Sequence, residues 1–187
     1  MQEYIEVTKS GDTLRIRLTG FRSYISVTFV AKITMPDLYG INLSGGSQAD
    51  ITGFSSSHDF SAQLSGGSEI TGNIIAGDAD FDLSGGSRIT GNITAGDTDL
   101  DLSGGSQVNL EGTADDLNIN SSGGSQLDLE GFSADNADIN LSGGSSATVN
   151  VDGTLDVNLS GGSRVIYVGE PTLGDIDLSG DSTVSKK

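Results

Sequence analysis

A Ser-Gly-Gly-Ser turn that returns about every 19 residues is the feature that most restricts the fold of this 187-residue chain. Copies begin at Ser44, Ser65, Ser84, Ser103, Ser122, Ser142 and Ser160, and a Ser-Gly-Asp-Ser variant begins at Ser179. The successive spacings are 21, 19, 19, 19, 20, 18 and 19 residues. A short fixed period is the signature of a repeat architecture, and this one leaves no room for a strand-helix-strand unit, which needs about 30 residues.

The residues just before each turn alternate between polar and apolar side chains. Residues 80–83 read Asp-Phe-Asp-Leu, and residues 99–102 read Asp-Leu-Asp-Leu. Alternation with a period of two is typical of a strand that buries one face. If each repeat makes one coil, the sequence predicts an all-β, single-stranded parallel β-helix of about eight coils, each of roughly 19 residues. We expect right-handed coils, because parallel crossovers are nearly always right-handed.

Stacking the coils places equivalent residues in columns, two facing inward and two facing outward. The inner columns are Ile41, Ala62, Phe81, Leu100, Ile119, Ile139, Val157 and Ile176, and Leu43, Leu64, Leu83, Leu102, Ser121, Leu141, Leu159 and Leu178. The outer columns are Asp80, Asp99, Asn118, Asp138, Asp156 and Asp175, and Asp82, Asp101, Asn120, Asn140, Asn158 and Asp177. Only Ser121 breaks the apolar pattern of the interior.

Residues 1–40 lack the repeat, and we interpret them as N-terminal strands that cap the solenoid. Segments 14–18 and 27–33 alternate like strands, and residues 9–12 read as a turn. Residues 41–187 then form the regular coils, within one domain overall.

Composition excludes several classes of function. Residues 41–187 carry four basic and twenty-two acidic residues, so nucleic-acid binding, which needs clustered Lys and Arg, is excluded. The chain has no cysteine, which removes disulfides and thiolate metal sites. No apolar run of about 18 residues and no export-signal pattern are present, so the sequence predicts no membrane insertion.

Three segments carry a resemblance to a known family. Residues 11–16 read Gly-Asp-Thr-Leu-Arg-Ile, residues 32–38 read Lys-Ile-Thr-Met-Pro-Asp-Leu, and residues 41–47 read Ile-Asn-Leu-Ser-Gly-Gly-Ser. In this order they resemble the head GIN domain of autotransporter adhesins, a bacterial family, over essentially the whole chain. The resemblance implies a right-handed β-helix in the cell envelope, with no established activity and no assigned catalytic residue. Family members usually carry an export signal upstream, so we expect Met1 to mark a fragment boundary.

Clustered carboxylates are the main candidate for chemistry. Asp80, Asp82, Asp99 and Asp101 are predicted to lie on two neighbouring coils, where Ca²⁺ could relieve their mutual repulsion. A solvated polar face explains the same residues, and the sequence implies no other cofactor. As acid and base, these carboxylates would suit a carbohydrate-active enzyme. Binding an acidic sugar needs nearby Arg or Lys, however, and the coils offer only Arg88 and Arg164, which lie several turns apart.

Two weaker candidates remain. His58, the only histidine, is followed by Asp59, but no serine stands out as the nucleophile of a Ser-His-Asp site. Phe21, Tyr24 and Tyr39 would form a contact surface if they cluster outward near the cap.

The sequence thus favours a non-enzymatic cell-envelope or surface module that works by adhesion, scaffolding or glycan contact. Its expected partner is a cell-surface glycan or protein. A carbohydrate-active enzyme on the same fold and a self-associating, oligomeric structural protein are the alternatives. A groove with paired carboxylates and a basic residue would favour the enzyme.

Overall fold

The computed structural model describes residues 5–19 and 28–187, and within them every regular element is a β-strand. The chain divides into two compact units, residues 1–34 and 35–187. The strands are β1 Ile5–Ser10, β2 Thr13–Leu18, β3 Gly40–Leu43, β4 Gln48–Ser55, β5 Phe60–Leu64, β6 Glu69–Ile75, β7 Ala79–Leu83, β8 Arg88–Thr94, β9 Thr98–Leu102, β10 Gln107–Ser121, β11 Gln126–Leu141, β12 Ser146–Val151, β13 Thr154–Leu159, β14 Arg164–Val168, β15 Thr172–Leu178 and β16 Thr183–Lys186.

The first unit contains an antiparallel hairpin. Strands β1 and β2 pair from Ile5↔Leu18 to Ser10↔Thr13, and the predicted turn lies at Gly11 and Asp12. One face of the hairpin carries apolar side chains together with Lys9, and the other carries polar and charged ones, including the ion pair between Arg17 and Glu6.

The predicted strand over residues 27–33 is wrong for residues 28–33, which form no strand, while Val27 lies outside the described residues. Alternation alone does not make a strand, because a strand needs a partner to satisfy its backbone groups. Val30 is 87% exposed, so this segment does not bury the apolar face that its sequence pattern suggested. The role of residues 1–40 as a cap stays a prediction.

The second unit is the predicted parallel solenoid of about eight coils. Strands just before the turns form one row, which contains β3, β5, β7, β9, the end of β10, the end of β11, β13 and β15. Strands just after the turns form a second row, which contains β4, β6, β8, the start of β10, the start of β11, β12, β14 and β16. All these pairs are parallel, and both predicted inner columns are confirmed in register along the first row.

The Ser-Gly-Gly-Ser turn combines backbone freedom with a buried hydrogen bond. Both glycines have positive φ, for example 63° at Gly85 and 76° at Gly86, where a side chain is strained. The last serine of each internal turn is buried, and its hydroxyl donates to the carbonyl of the first serine, as in Ser87 to Ser84 at 2.7 Å. The same bond recurs at Ser68, Ser106, Ser125, Ser145 and Ser163. The repeat therefore encodes a corner in which the buried serine hydroxyl has a hydrogen-bond partner within the same turn.

Ser121 is the polar exception in the two inner columns, as the sequence indicated. It is 4% exposed, and its register partners on the adjacent coils are Leu102 and Leu141. Its hydroxyl has no hydrogen-bond partner among the described residues, as is also true of the Thr98 hydroxyl. A buried hydroxyl without a partner lowers the stability of the folded state.

We expect Ser121→Leu to stabilise the solenoid by about 1–3 kcal/mol, because it buries a leucine side chain and removes the unpaired hydroxyl. The urea midpoint of unfolding measures the change. Ser121→Ala, which removes the hydroxyl without adding a large apolar side chain, is the control and should gain less. A midpoint that stays the same or falls in Ser121→Leu would contradict this interpretation of the column.

Candidate functional site

The two outer columns are in register over most of their length. Asp80 lies beside Asp99, and Asp82 lies beside Asp101, on β7 and β9. From Asp99 the first column continues through Asn118, Asp138 and Asp156. From Asp101 the second continues through Asn120, Asn140, Asn158 and Asp177. The predicted columns are confirmed at these positions.

Asp175 departs from its predicted column. The register of β13 and β15 shifts between Leu155 and Val157, so Asp156 does not pair with Asp175. Instead, the backbone N–H of Asp175 donates to Oδ1 of Asp156 at 2.6 Å. A bulge adds one residue on one strand and breaks the column at that point.

The four acidic candidates lie together on the outer face of β7 and β9, and all four are exposed to solvent. Partial burial raises the pKa of Asp80, and the negative charges of Asp99, Asp101 and Asp82 raise it further. Ionised Asp80 therefore opposes folding. The loss of folding stability that the ionised carboxylate causes is fully present above the folded-state pKa, and it is relieved as the pH falls through that value.

Asp80→Asn should raise the free energy of unfolding at pH 7 by up to about 1 kcal/mol, a modest figure because water screens an exposed carboxylate. The gain should shrink as the pH falls through the folded-state pKa, and it should vanish below the unfolded value near 3.8. Urea unfolding at several pH values measures it. Asp128→Asn makes the same charge change between Asn109 and Thr148, which are uncharged. An equal gain in both variants would show that only net charge matters.

The geometry gives little support to a metal site at these aspartates. Among residues 5–19 and 28–187, no group of three or more His, Cys, Asp and Glu side chains is arranged to hold a metal ion. Calcium binding by Asp80, Asp82, Asp99 and Asp101 stays a prediction.

The remaining candidates do not come together with the carboxylates. Arg88 lies in the second row of strands, between Glu69 and Gln107, and Arg164 lies between Ser146 and Thr183. The carboxylates lie in the first row. The two arginines are therefore on a different row of strands from the acidic cluster.

His58 packs against an aromatic ring. The ring centroids of Tyr39 and His58 are 5.0 Å apart, and the Asp59 carboxylate accepts a hydrogen bond from the backbone N–H of Asp78. Asp59 thus binds the backbone of the next coil rather than orienting His58. Phe21 and Tyr24, which the sequence grouped with Tyr39, lie outside the described residues.

A shallow groove of about 430 Å³ follows the second outer column from coil to coil, and we call it the axial groove. It is lined by Asp82, Asp101, Leu102, Ser103, Asn120, Ser121, Ser122, Asn140, Leu141, Ser142, Asn158 and Ser160. Carboxylates line one end, carboxamides line the rest, and the first serines of four turns, Ser103, Ser122, Ser142 and Ser160, form one edge. No Lys or Arg belongs to this lining.

The sequence predicted the outer column of the axial groove but not its serine edge. The first serine of each turn comes two residues after the outward Asp or Asn, beyond an inward residue. The alternation along a strand predicts which residues form the outer column. Whether the first serine of the turn lies beside that column depends on the direction of the chain at the corner, which the alternation does not give. The repeated pairing of Asp or Asn with a Ser two positions later was the available signal.

Comparison with known proteins identifies the family. A family model described as "Putative auto-transporter adhesin, head GIN domain" matches residues 1–171. The chain belongs to this family. No curated protein matches the sequence of this GIN domain.

A solved structure shares the fold of this GIN domain. It is the crystal structure of a "Putative lipid binding protein" from Parabacteroides distasonis, with a TM-score of 0.72 and 17% sequence identity. The match covers 100% of this chain and 80% of the other. At that identity the likeness shows the fold alone.

Within residues 5–19 and 28–187, no helix has the length and apolar character of a membrane span.

Proposed function

We propose that this GIN domain is a non-enzymatic module of the bacterial cell surface, which holds a partner by contact along the solenoid. The observation that carries the proposal is the axial groove, which is lined mainly by polar residues and crosses five coils in a member of a family of adhesin head domains. The parallel strands fix the side chains that line this groove at regular intervals. A rigid surface of this kind loses little entropy when it binds.

An enzyme on the same fold is the alternative. The axial groove has the paired carboxylates Asp82 and Asp101, but its lining lacks the basic residue that binding an acidic sugar needs. If the chain were a polysaccharide hydrolase, it would release reducing ends from the substrate, and Asp82→Asn with Asp101→Asn would abolish the release. We expect no release from the unaltered chain.

Lipid binding, the role named for the structural neighbour, is not favoured by the surface of this solenoid. The buried apolar residues of residues 35–187 pack against one another in one core. The axial groove is lined mainly by Asp, Asn and Ser, which suit hydroxyl groups better than acyl chains.

Surface display tests the proposal. The chain is fused to an outer-membrane anchor in a bacterium without adhesins, and the retention of cells on epithelial monolayers is counted under flow. We expect retention above that of the anchor alone, and we expect excess soluble chain to abolish the difference. Retention equal to that of the anchor alone would contradict an adhesive role.

A further inference from the structure

We propose that the axial groove binds an uncharged, linear glycan that lies along the solenoid axis, in preference to an acidic one. This inference rests on the proposed function and names the class of its partner. It is drawn from the hydrogen-bonding groups that line the groove, from their spacing and from the charge around them.

The carboxamides provide unused hydrogen-bonding groups in a row. Asn120, Asn140 and Asn158 are register partners on three successive coils. Among the described residues, the side chains of Asn120 and Asn158 have no hydrogen-bond partner, whereas Asn140 donates to Asp138 at 3.1 Å. Each carboxamide offers both a donor and an acceptor, so the row can match hydroxyl groups of either role.

The serines at the edge add a second row. Ser122, Ser142 and Ser160 line the axial groove, and no hydrogen bond donated by their hydroxyls is found among the described residues. Their carbonyls instead accept from the buried serines of the same turns, as in Ser163 to Ser160 at 2.8 Å. These three turns are therefore held from inside, and their outer hydroxyls are left for a ligand. The equivalent hydroxyls of Ser84 and Ser179 instead donate to the carbonyls of Leu64 and Leu159.

The spacing of the two rows favours a polymer with a repeating unit. Successive coils lie about 4.8 Å apart, so each row presents one group at that interval. The register is fixed by parallel pairing of β10, β11 and β13. A linear chain of sugars can place hydroxyls at a regular repeat along such rows, whereas a compact ligand would reach only one or two coils.

Charge selects against acidic glycans. Asp82 and Asp101 close one end of the axial groove, and the chain carries a net charge of −17. Neither Lys nor Arg lines the groove to pair with a carboxylate or sulfate. Like charge at a binding surface lowers both the rate and the strength of association, so a polyanion should bind poorly here.

Titration calorimetry with the full chain at about 150 mM NaCl tests the inference, because at this ionic strength only nearby charges act strongly. The uncharged probes are oligosaccharides of cellulose, starch and mannan, and the acidic probes are oligosaccharides of polygalacturonate and hyaluronan. We expect at least one uncharged probe to bind at least tenfold more tightly than every acidic probe.

Variants locate the binding. Asn120→Ala combined with Asn158→Ala should lower the affinity for the uncharged probe at least tenfold, because it removes two hydrogen-bonding side chains that the fold does not use. Asn73→Ala combined with Asn92→Ala is the matched control, since these two exposed carboxamides are register partners in the second row of strands. The control should bind like the unaltered chain.

The outcomes separate this inference from the proposed function. Equal binding of acidic and uncharged probes, no binding of any probe, or unchanged affinity in the Asn120 and Asn158 variant would each overturn the inference. Retention of displaying cells could still occur in those cases through a protein partner, and it would then support the proposed function alone.

Discussion

Gly91→Ala is expected to destabilise the solenoid by at least about 3 kcal/mol, enough to disrupt its central coils. Gly91 on β8 is the register partner of Gly72 on β6. A Cβ on Gly91 would overlap the backbone carbonyl oxygen of Gly72. The overlap involves the main chain of both coils, so no side-chain rotation can relieve it, and the two strands would have to separate.

Gly86→Ala is the matched control for this substitution. Gly86 has a φ of 76°, but a Cβ there would meet no atom within 4 Å. Gly86→Ala should therefore lower the free energy of unfolding only through the strained backbone conformation, by about 1–2 kcal/mol. Urea unfolding followed by far-ultraviolet circular dichroism compares the two variants. A smaller loss in Gly91→Ala than in Gly86→Ala would show that the coils are not in close backbone contact at this column.

Phe81→Ala is expected to cost about 3–5 kcal/mol, since it empties the largest position of an inner column. Phe81 is fully buried between Ala62 and Leu100, and its ring centroid lies 6.0 Å from that of Phe60. Ala62 is small, so the side chains near Phe81 cannot easily fill the cavity. The loss would be measured as a lower urea midpoint.

Phe81→Leu tests whether the volume of the side chain stabilises the fold, because leucine remains apolar and buried but is smaller than phenylalanine. It places the same residue type as Leu100 in the column and keeps most of the volume, so its cost should stay below about 1.5 kcal/mol. If both substitutions at Phe81 cost the same small amount, this side chain does not lie in a close-packed interior.

The stacking of the coils could be predicted from the sequence because one turn motif recurs eight times and sets the register between successive coils. Once Ser84 and Ser103 are equivalent, Phe81 must lie over Leu100, and Asp82 over Asp101, which the strand pairing confirms. The period of two then assigns each residue to the interior or to the surface. Both steps use only local pattern and chain length.

Departures from the repeat could not be predicted in the same way. The segment 28–33 has the alternation of a strand, but whether it pairs depends on a partner elsewhere in the chain, which alternation does not reveal. Asp175 leaves its column because Gly174 and Asp175 together oppose Asp156, and nothing in the spacing of the turns marks that extra residue.

Only part of the candidate site could be predicted from the sequence. The outward Asp and Asn residues follow from alternation, whereas the edge formed by Ser122, Ser142 and Ser160 depends on the path of the corner. The sequence pattern also favoured the carboxylates as candidates, because clustered acids suggest acid-base chemistry or metal binding. In the structure the longer part of the axial groove is formed by carboxamides.

Distances between spin labels along one outer column test the stacking of the coils most directly. The chain has no cysteine, so labels attach only at introduced ones. With one label at Gln63, the second is placed at Asn120, Asn158 or Asp177, which lie three, five and six coils further along the same column. The parallel solenoid predicts that the distance rises by about 4.8 Å per coil, to about 29 Å for Asp177. A distance from Gln63 to Asp177 that is equal to or shorter than the distance to Asn120 would contradict the stacked coils.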